Sequence, residues 1–282
     1  MRRTLGLTLL MPLVLLASTV AASAQSCSDT ATAVNFGTYT GTLLNSVGTV
    51  TVTCKGNNAW QLRLDAGLGV GATVTTRNMT GPAGAKLNYG LFLDSARTIN
   101  FDNLSGTGNG GAQPFSTYGQ VAAGQFVAPG NYTDTISASV TASGNTVAAT
   151  LTVNATVQAT CQVSATAMAF GTYTAAAATS TSVLSFTCTN STSYNVGLSA
   201  GIAAGATVTN RSMTGPASAL LRYKLFRDSG RTANWGNTVG TDTVAGTGNG
   251  ASQSLTVYGQ IPAAQFVQPG SYADTITATV TY

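Results

Sequence analysis

The feature that constrains this chain most is that it states one pattern twice. Phe36-Gly37-Thr38-Tyr39-Thr40 returns as Phe170-Gly171-Thr172-Tyr173-Thr174, 134 residues later. At the same spacing Gly71-Ala72-Thr73-Val74 returns at 205–208, Arg77-Asn78-Met79-Thr80-Gly81-Pro82-Ala83 at 211–217, and Asp94-Ser95-Ala96-Arg97-Thr98 at 228–232. Six residues are then inserted near Gly236 to Ala245, and the spacing becomes 140. It stays there through Gly106-Thr107-Gly108-Asn109-Gly110, Tyr118-Gly119-Gln120 and Pro129-Gly130-Asn131-Tyr132. Copies of about 130 residues are domain-sized, whereas solenoid repeats run to roughly 20–50. Two tandem domains follow.

Within each copy the apolar residues recur with period two. Trp60, Leu62 and Leu64 alternate with Gln61, Arg63 and Asp65; Leu87, Tyr89, Leu91 and Leu93 form another such face. Pro129-Gly130 is a turn, and Tyr132, Ile136, Ala138 and Val140 follow on one face, matched by Tyr272, Ile276, Ala278 and Val280. Alternation between turn signals reads as half-buried strands. No window carries a capped helical stripe. Many short strands predict an all-β chain of two immunoglobulin-like antiparallel β-sandwiches.

Between the copies lies VAATLTVNATVQA, residues 147–159. Val147, Ala149, Leu151, Val153, Ala155, Val157 and Ala159 alternate with Ala148 and then with polar residues. Ser143-Gly144-Asn145 just before it is a tight turn, so the segment is expected to fold back as a hairpin and close the first domain in cis. The second copy reaches Tyr282 at the end of its matching strand, and only Gln25 and Ser26 stand between the leader and Cys27. The second sandwich is therefore expected to lack its last strand and to need one from another molecule, by β-strand addition. The domain limits expected are 25–159 and 160–282.

Residues 1–24 read as a secretory leader: Arg2 and Arg3, an apolar run from Leu5 to Leu16, and Ala22-Ser23-Ala24 before the cut. The remaining sequence holds ten Lys/Arg and eight Asp, too balanced for a nucleic-acid-binding surface. Export favours disulfides over metal for the four cysteines. Cys27 and Cys54 are 27 apart, as are Cys161 and Cys188, so one bridge is expected within each copy. A loop of that length is worth about 3.5 kcal/mol in the chain-entropy model.

Catalysis has little to work with. His is absent, which removes Ser-His-Asp, Cys-His and His-metal sites, and all eight acidic residues are Asp. Asp94 with Arg97 and Asp228 with Arg231 read as a repeated turn with an ion pair. Asn109-Gly110 reads as a hairpin turn rather than a phosphate loop, since no Lys-Ser/Thr follows. Trp60 and Trp235 could stack on a sugar, although Trp60 sits in an alternating strand that favours the core. The expectation is a non-enzyme with no metal and no cofactor. For contact with a surface, the candidates are apolar residues in the loops of the first copy: Leu43, Leu44, Leu68, Val70, Ile99, Phe101 and Leu104. Leu43 and Leu44 become Ala177 and Ala178 in the second copy.

These motifs together resemble the spore coat protein U domain. The resemblance rests on a Cys shortly before Phe-Gly-Thr-Tyr, Arg-x-Met-x-Gly-Pro, Leu-Phe-x-Asp-Ser, Tyr-Gly-Gln, and Pro-Gly-x-Tyr-x-Asp-Thr-Ile. It covers nearly all the chain beyond the leader, twice. That family includes subunits of archaic, Csu-type chaperone–usher pili. The resemblance implies incomplete sandwiches held by a periplasmic chaperone, assembled by an outer-membrane usher, and completed by a neighbouring subunit's strand. A two-domain member is similar to a tip adhesin at the cell surface, gripping abiotic or host surfaces in biofilm formation. The other reading the resemblance leaves open is a structural coat or extracellular matrix protein.

Overall fold

A computed structural model describes residues 27–282. The leader segment lies outside the described residues. The first unit holds β1 (Cys27–Thr32), β2 (Val34–Tyr39), β3 (Leu44–Cys54), β4 (Ala59–Leu64), β5 (Arg77–Thr80), β6 (Lys86–Phe92), β7 (Asn103–Thr107), β8 (Ala112–Val121), β9 (Gly130–Ala142) and β10 (Asn145–Val157). One sheet runs β1-β3-β8-β6 and the facing one β7-β4-β9-β10-β2, with β5 joining β6 to β9. All pairs are antiparallel except β10 with β2, which is parallel.

The second unit holds β11 (Cys161–Ala165), β12 (Ala178–Cys188), β13 (Ser193–Leu198), β14 (Arg211–Thr214), β15 (Leu220–Phe226), β16 (Val244–Thr247), β17 (Gln253–Ile261) and β18 (Ala278–Thr281). Its first sheet, β11-β12-β17-β15-β14, matches that of the first unit. The facing sheet is reduced to β16-β13-β18. Each unit carries its own disulfide, Cys27–Cys54 and Cys161–Cys188. The only helical pieces among the described residues are two 3-10 turns, Pro82–Gly84 and Pro216–Ser218.

The repeated motifs turn out to be packing devices. Arg77 is fully buried and surrounded by carbonyls: Nε donates to Asp65 O (2.9 Å), Nη1 to Val74 O (2.7 Å), and Nη2 to Phe101 O (2.9 Å) and Leu64 O (3.3 Å). Arg211 repeats this on Ser199, Val208, Trp235 and Leu198. Burial pushes both guanidinium pKa values down, and the carbonyl cage supplies the hydrogen bonds a buried cation needs. Gly81 is obligatory because a Cβ there would strike the Tyr132 ring, and Gly130 lies against Pro82 in the same way. Thus Arg-x-Met-x-Gly-Pro and Pro-Gly-x-Tyr, some 50 residues apart, are two halves of one contact.

Two expectations need correction, and the open choice for the two indoles falls to the core. Asp94 does make the turn, accepting from Thr98 N and Ile99 N (2.9 and 2.8 Å), but Arg97 donates to Gly119 O and Ser95 O and lies over the Tyr118 ring, with no ion pair to Asp94. The backbone donors, Ile99 N foremost, hold the Asp94 carboxyl below its ordinary value. They satisfy it without the Arg, whose side chain is left to bind the neighbouring strand. Asn109-Gly110 is no hairpin: β7 pairs with β4 and β8 with β3, so that turn carries the chain from one sheet to the other. Trp235 is fully buried, with Nε1 donating to Val196 O, and Trp60 is 3% exposed, so neither indole offers a face for stacking.

Candidate functional site

In the first unit, β10 lies between β9 and β2. It pairs with β9 over its whole length, from Asn145 opposite Ala142 to Val157 opposite Gly130. On its other edge Val153–Val157 runs beside Val34–Tyr39, with a bulge at Gly37, whose φ is +74°. Further up that edge β10 has no ladder partner, and Ala149 N instead donates to the carboxylate of Asp29 in β1 at 2.8 Å. Leu151, Val153, Ala155 and Val157 are buried. Ala149 is half-buried, and Val147, beside the Ser143-Gly144 turn, is 36% exposed. Of the seven apolar residues in this alternation, the four from Leu151 to Val157 fill the sandwich, Ala149 does so in part, and Val147 and Ala159 at its two ends do not.

The second unit has the same walls with none of the described residues paired between them. The counterpart of β2, residues 168–173, is in no ladder, and the counterpart of most of β9, residues 270–277, makes one bridge, Ala273 with Thr214. Residues that are core in the first unit are correspondingly uncovered. Val34, Phe36, Tyr39, Met79, Tyr132 and Ile136 are buried, while Met168, Phe170, Tyr173, Met213, Tyr272 and Ile276 are only partly so. Between these walls run two cavities of about 450 and 680 Å³, which share Met168, Phe170, Met213 and Tyr272.

The groove is therefore apolar along its floor and lined by free backbone donors and acceptors at its rims. That combination accepts an extended peptide: ladder hydrogen bonds fix its path, and every second side chain enters the floor. The register seen in the first unit transfers by the repeat spacing. Leu151, Val153, Ala155 and Val157 lie opposite Ile136, Asp134, Tyr132 and Gly130, whose counterparts are Ile276, Asp274, Tyr272 and Gly270. The one polar floor group is already occupied, since Tyr223 Oη donates to Asp274 Oδ2 at 2.7 Å, as Tyr89 does to Asp134. Burial, with that bond to the carboxylate, pushes both phenol pKa values up.

The loop candidates for surface contact separate cleanly. Phe101 is fully buried and cannot touch a surface in the folded state: its amide bonds Leu91 O and its side chain is core. Leu104 lies in β7 opposite Leu62 and Leu44 begins β3, both packed on the core rather than in loops. Leu43, Leu68, Val70 and Ile99 are 52, 76, 77 and 56% exposed. Leu68 has an equally exposed counterpart in Ile202, but Leu43, Val70 and Ile99 correspond to Ala177, Ala204 and Ala233. Three exposed apolar positions are thus peculiar to the first unit.

Among the described residues a closed sandwich is followed by one whose groove is open. A family model described as "Spore Coat Protein U domain" matches residues 13–139 and 147–279. The chain belongs to that family. It is 35% identical over 125 residues to Protein U of Myxococcus xanthus, a match covering 38% of this chain and 70% of that protein. Its fold is similar to a chain in the crystal structure of the chaperone–tip adhesion subunit pre-assembly complex from archaic chaperone–usher Csu pili of Acinetobacter baumannii. There the TM-score is 0.52 at 18% identity, covering 91% of this chain and all of the other.

Proposed function

We propose that this chain is an exported fimbrial subunit whose second unit is completed by a strand from a neighbouring subunit and whose first unit contacts a surface. The observation that carries the reading is the groove between residues 168–173 and 270–277, which stands where β10 stands in the first unit. A first unit whose own groove is filled by β10 has no place for a further strand, which suits the terminal position in a fibre. Until its neighbour arrives, the open groove needs shielding from water, the task of a periplasmic chaperone, with an outer-membrane usher as the site of exchange. The family and the fold likeness to the Acinetobacter complex support this path. The surface contact itself, abiotic or host, is placed on Leu43, Val70 and Ile99, with adhesion and biofilm formation as its outcome.

Immunogold labelling against the first unit, on cells that make the full chain, is expected to mark the ends of thin fibres. The triple change Leu43→Ser, Val70→Ser, Ile99→Ser is expected to leave the labelling unchanged and to lower surface attachment several-fold. These side chains are exposed, so their loss leaves the core intact. Label spread evenly through a coat without fibres would support the matrix reading instead. Unchanged attachment would remove these three residues from the contact.

A further inference from the structure

Phe126 and Phe266 occupy the same place in the two copies and have opposite surroundings. Each sits at the tip of a loop pinned by the same bonds. In the first unit, Gln125 Oε1 accepts from Asn88 N (2.8 Å), Gln125 Nε2 donates to Asn88 O (2.9 Å), and Tyr39 Oη donates to Ala122 O (2.7 Å). In the second, Gln265 does the same to Arg222 N and O (2.8 and 2.9 Å), and Tyr173 Oη donates to Pro262 O (2.7 Å). Both loops are therefore held rigid before anything docks on them, which lowers the entropy lost on contact.

The loop of the first unit is in use. Phe126 O accepts a hydrogen bond from Asn190 N at 2.9 Å and lies 2.8 Å from where a Cβ on Gly250 would stand. It thus rests on two turns at the base of the second unit, 189–191 and 249–251, beside the linker residue Thr160. The corresponding loop of the second unit meets no such turn among the described residues, and Phe266 is 90% exposed, the most exposed large apolar side chain among them. The corresponding base turn of the first unit carries no loop from the described residues: none of them lies within 4 Å of a Cβ placed on Gly110, the counterpart of Gly250. One loop-on-base contact is made within the chain, and its two halves are left over at opposite ends. A head-to-tail contact of this kind propagates an open filament.

We propose that the Pro262–Pro269 loop, led by Phe266, is a second docking surface that seats on the base turns of the neighbouring subunit, as Phe126 does within the chain. The occupant is a subunit of the same fold that carries an alternating strand a few residues before its first cysteine. The proposal rests on the groove reading above, and the groove dictates the place. A strand in the register of β10 leaves the groove beside Gly270 and Tyr173, as Val157 does beside Gly130 and Tyr39. Three linker residues later, at the spacing of Val157 to Cys161, its domain begins against the 262–269 loop. Strand insertion fixes connection; this contact would fix the angle between successive subunits.

The test is photocrosslinking of the full chain assembled on cells, with p-benzoylphenylalanine replacing Phe266, Thr275 on the solvent face of the groove wall, or Val239 as an exposed control. The expected result is that Thr275→p-benzoylphenylalanine joins a neighbour's alternating segment. Phe266→p-benzoylphenylalanine is expected to join that neighbour at the turn after its second cysteine or at its Asn-Gly turn, several-fold above the control. A Thr275 product without a Phe266 product above the control, or a Phe266 product on another surface, would overturn the docking contact and leave the strand reading standing. No product from Thr275 would overturn both.

Discussion

Extending the chain beyond Tyr282 with a second copy of residues 143–157 is expected to stabilise the second unit by about 3–5 kcal/mol, seen as a rise of roughly 10–20 °C in its unfolding transition. Tyr282 corresponds to Ala142, after which Ser143 and Gly144 turn the first unit's chain back with φ of +50° and +79°. The added copy therefore starts at the right point and in the right hand. Three large aliphatic side chains, copied from Leu151, Val153 and Val157, would enter a floor lined by Met168, Phe170, Leu198 and Ile276. Each is worth about 1.5–3 kcal/mol when buried. Ordering the strand offsets part of that gain, and the new ladder bonds contribute modestly. Differential scanning calorimetry of the extended and unextended chains checks it. An extension that leaves the second transition unmoved would mean the groove does not take a strand of this pattern.

Leu151→Asp is expected to unfold the first unit while the second keeps its disulfide-bonded sheet. Leu151 is fully buried opposite Ile136. A carboxylate there has no cation or donor set of its own to satisfy it, and the lost Leu leaves a cavity. The two costs together exceed about 4 kcal/mol, a large part of the roughly 5–15 kcal/mol that holds a domain. Thermal unfolding followed by far-ultraviolet dichroism should lose the first unit's transition. Thr152→Asp, on the solvent side of the same strand, is the control and should change little. Equal, small effects at 151 and 152 would show that β10 does not close the first sandwich.

What could be read in the sequence was whatever local pattern or spacing encodes. Period two in Trp60–Leu64 and in 147–157 marked strands because side chains alternate across a pleat, and β4 and β10 are where it placed them. The equal cysteine spacing matched the two bridges because the copies share one fold. Burial inside loops was not legible. Phe101 sits between polar residues in what reads as a loop, yet the chain passes between sheets there and the ring is core. Arg77 and Arg97 look alike in sequence as motif cations; only the fold surrounds one with four carbonyls and lays the other over Tyr118. Nor does residue identity reveal the partner of Asp94: backbone amides, which every residue has, outcompete a nearby Arg that binds the neighbouring strand instead. The difference between Phe126 and Phe266 was invisible too, since the two loops are nearly identical and only their neighbours differ.

The open groove is tested most directly by backbone amide exchange in the full chain, read segment by segment by mass spectrometry. Peptides covering 34–39 and 132–137 should exchange slowly, because β10 is hydrogen-bonded to both strands. Those covering 168–173 and 271–277 should exchange faster by orders of magnitude, in the same sample and at the same pH. Equal protection of the two sets would contradict an open second sandwich.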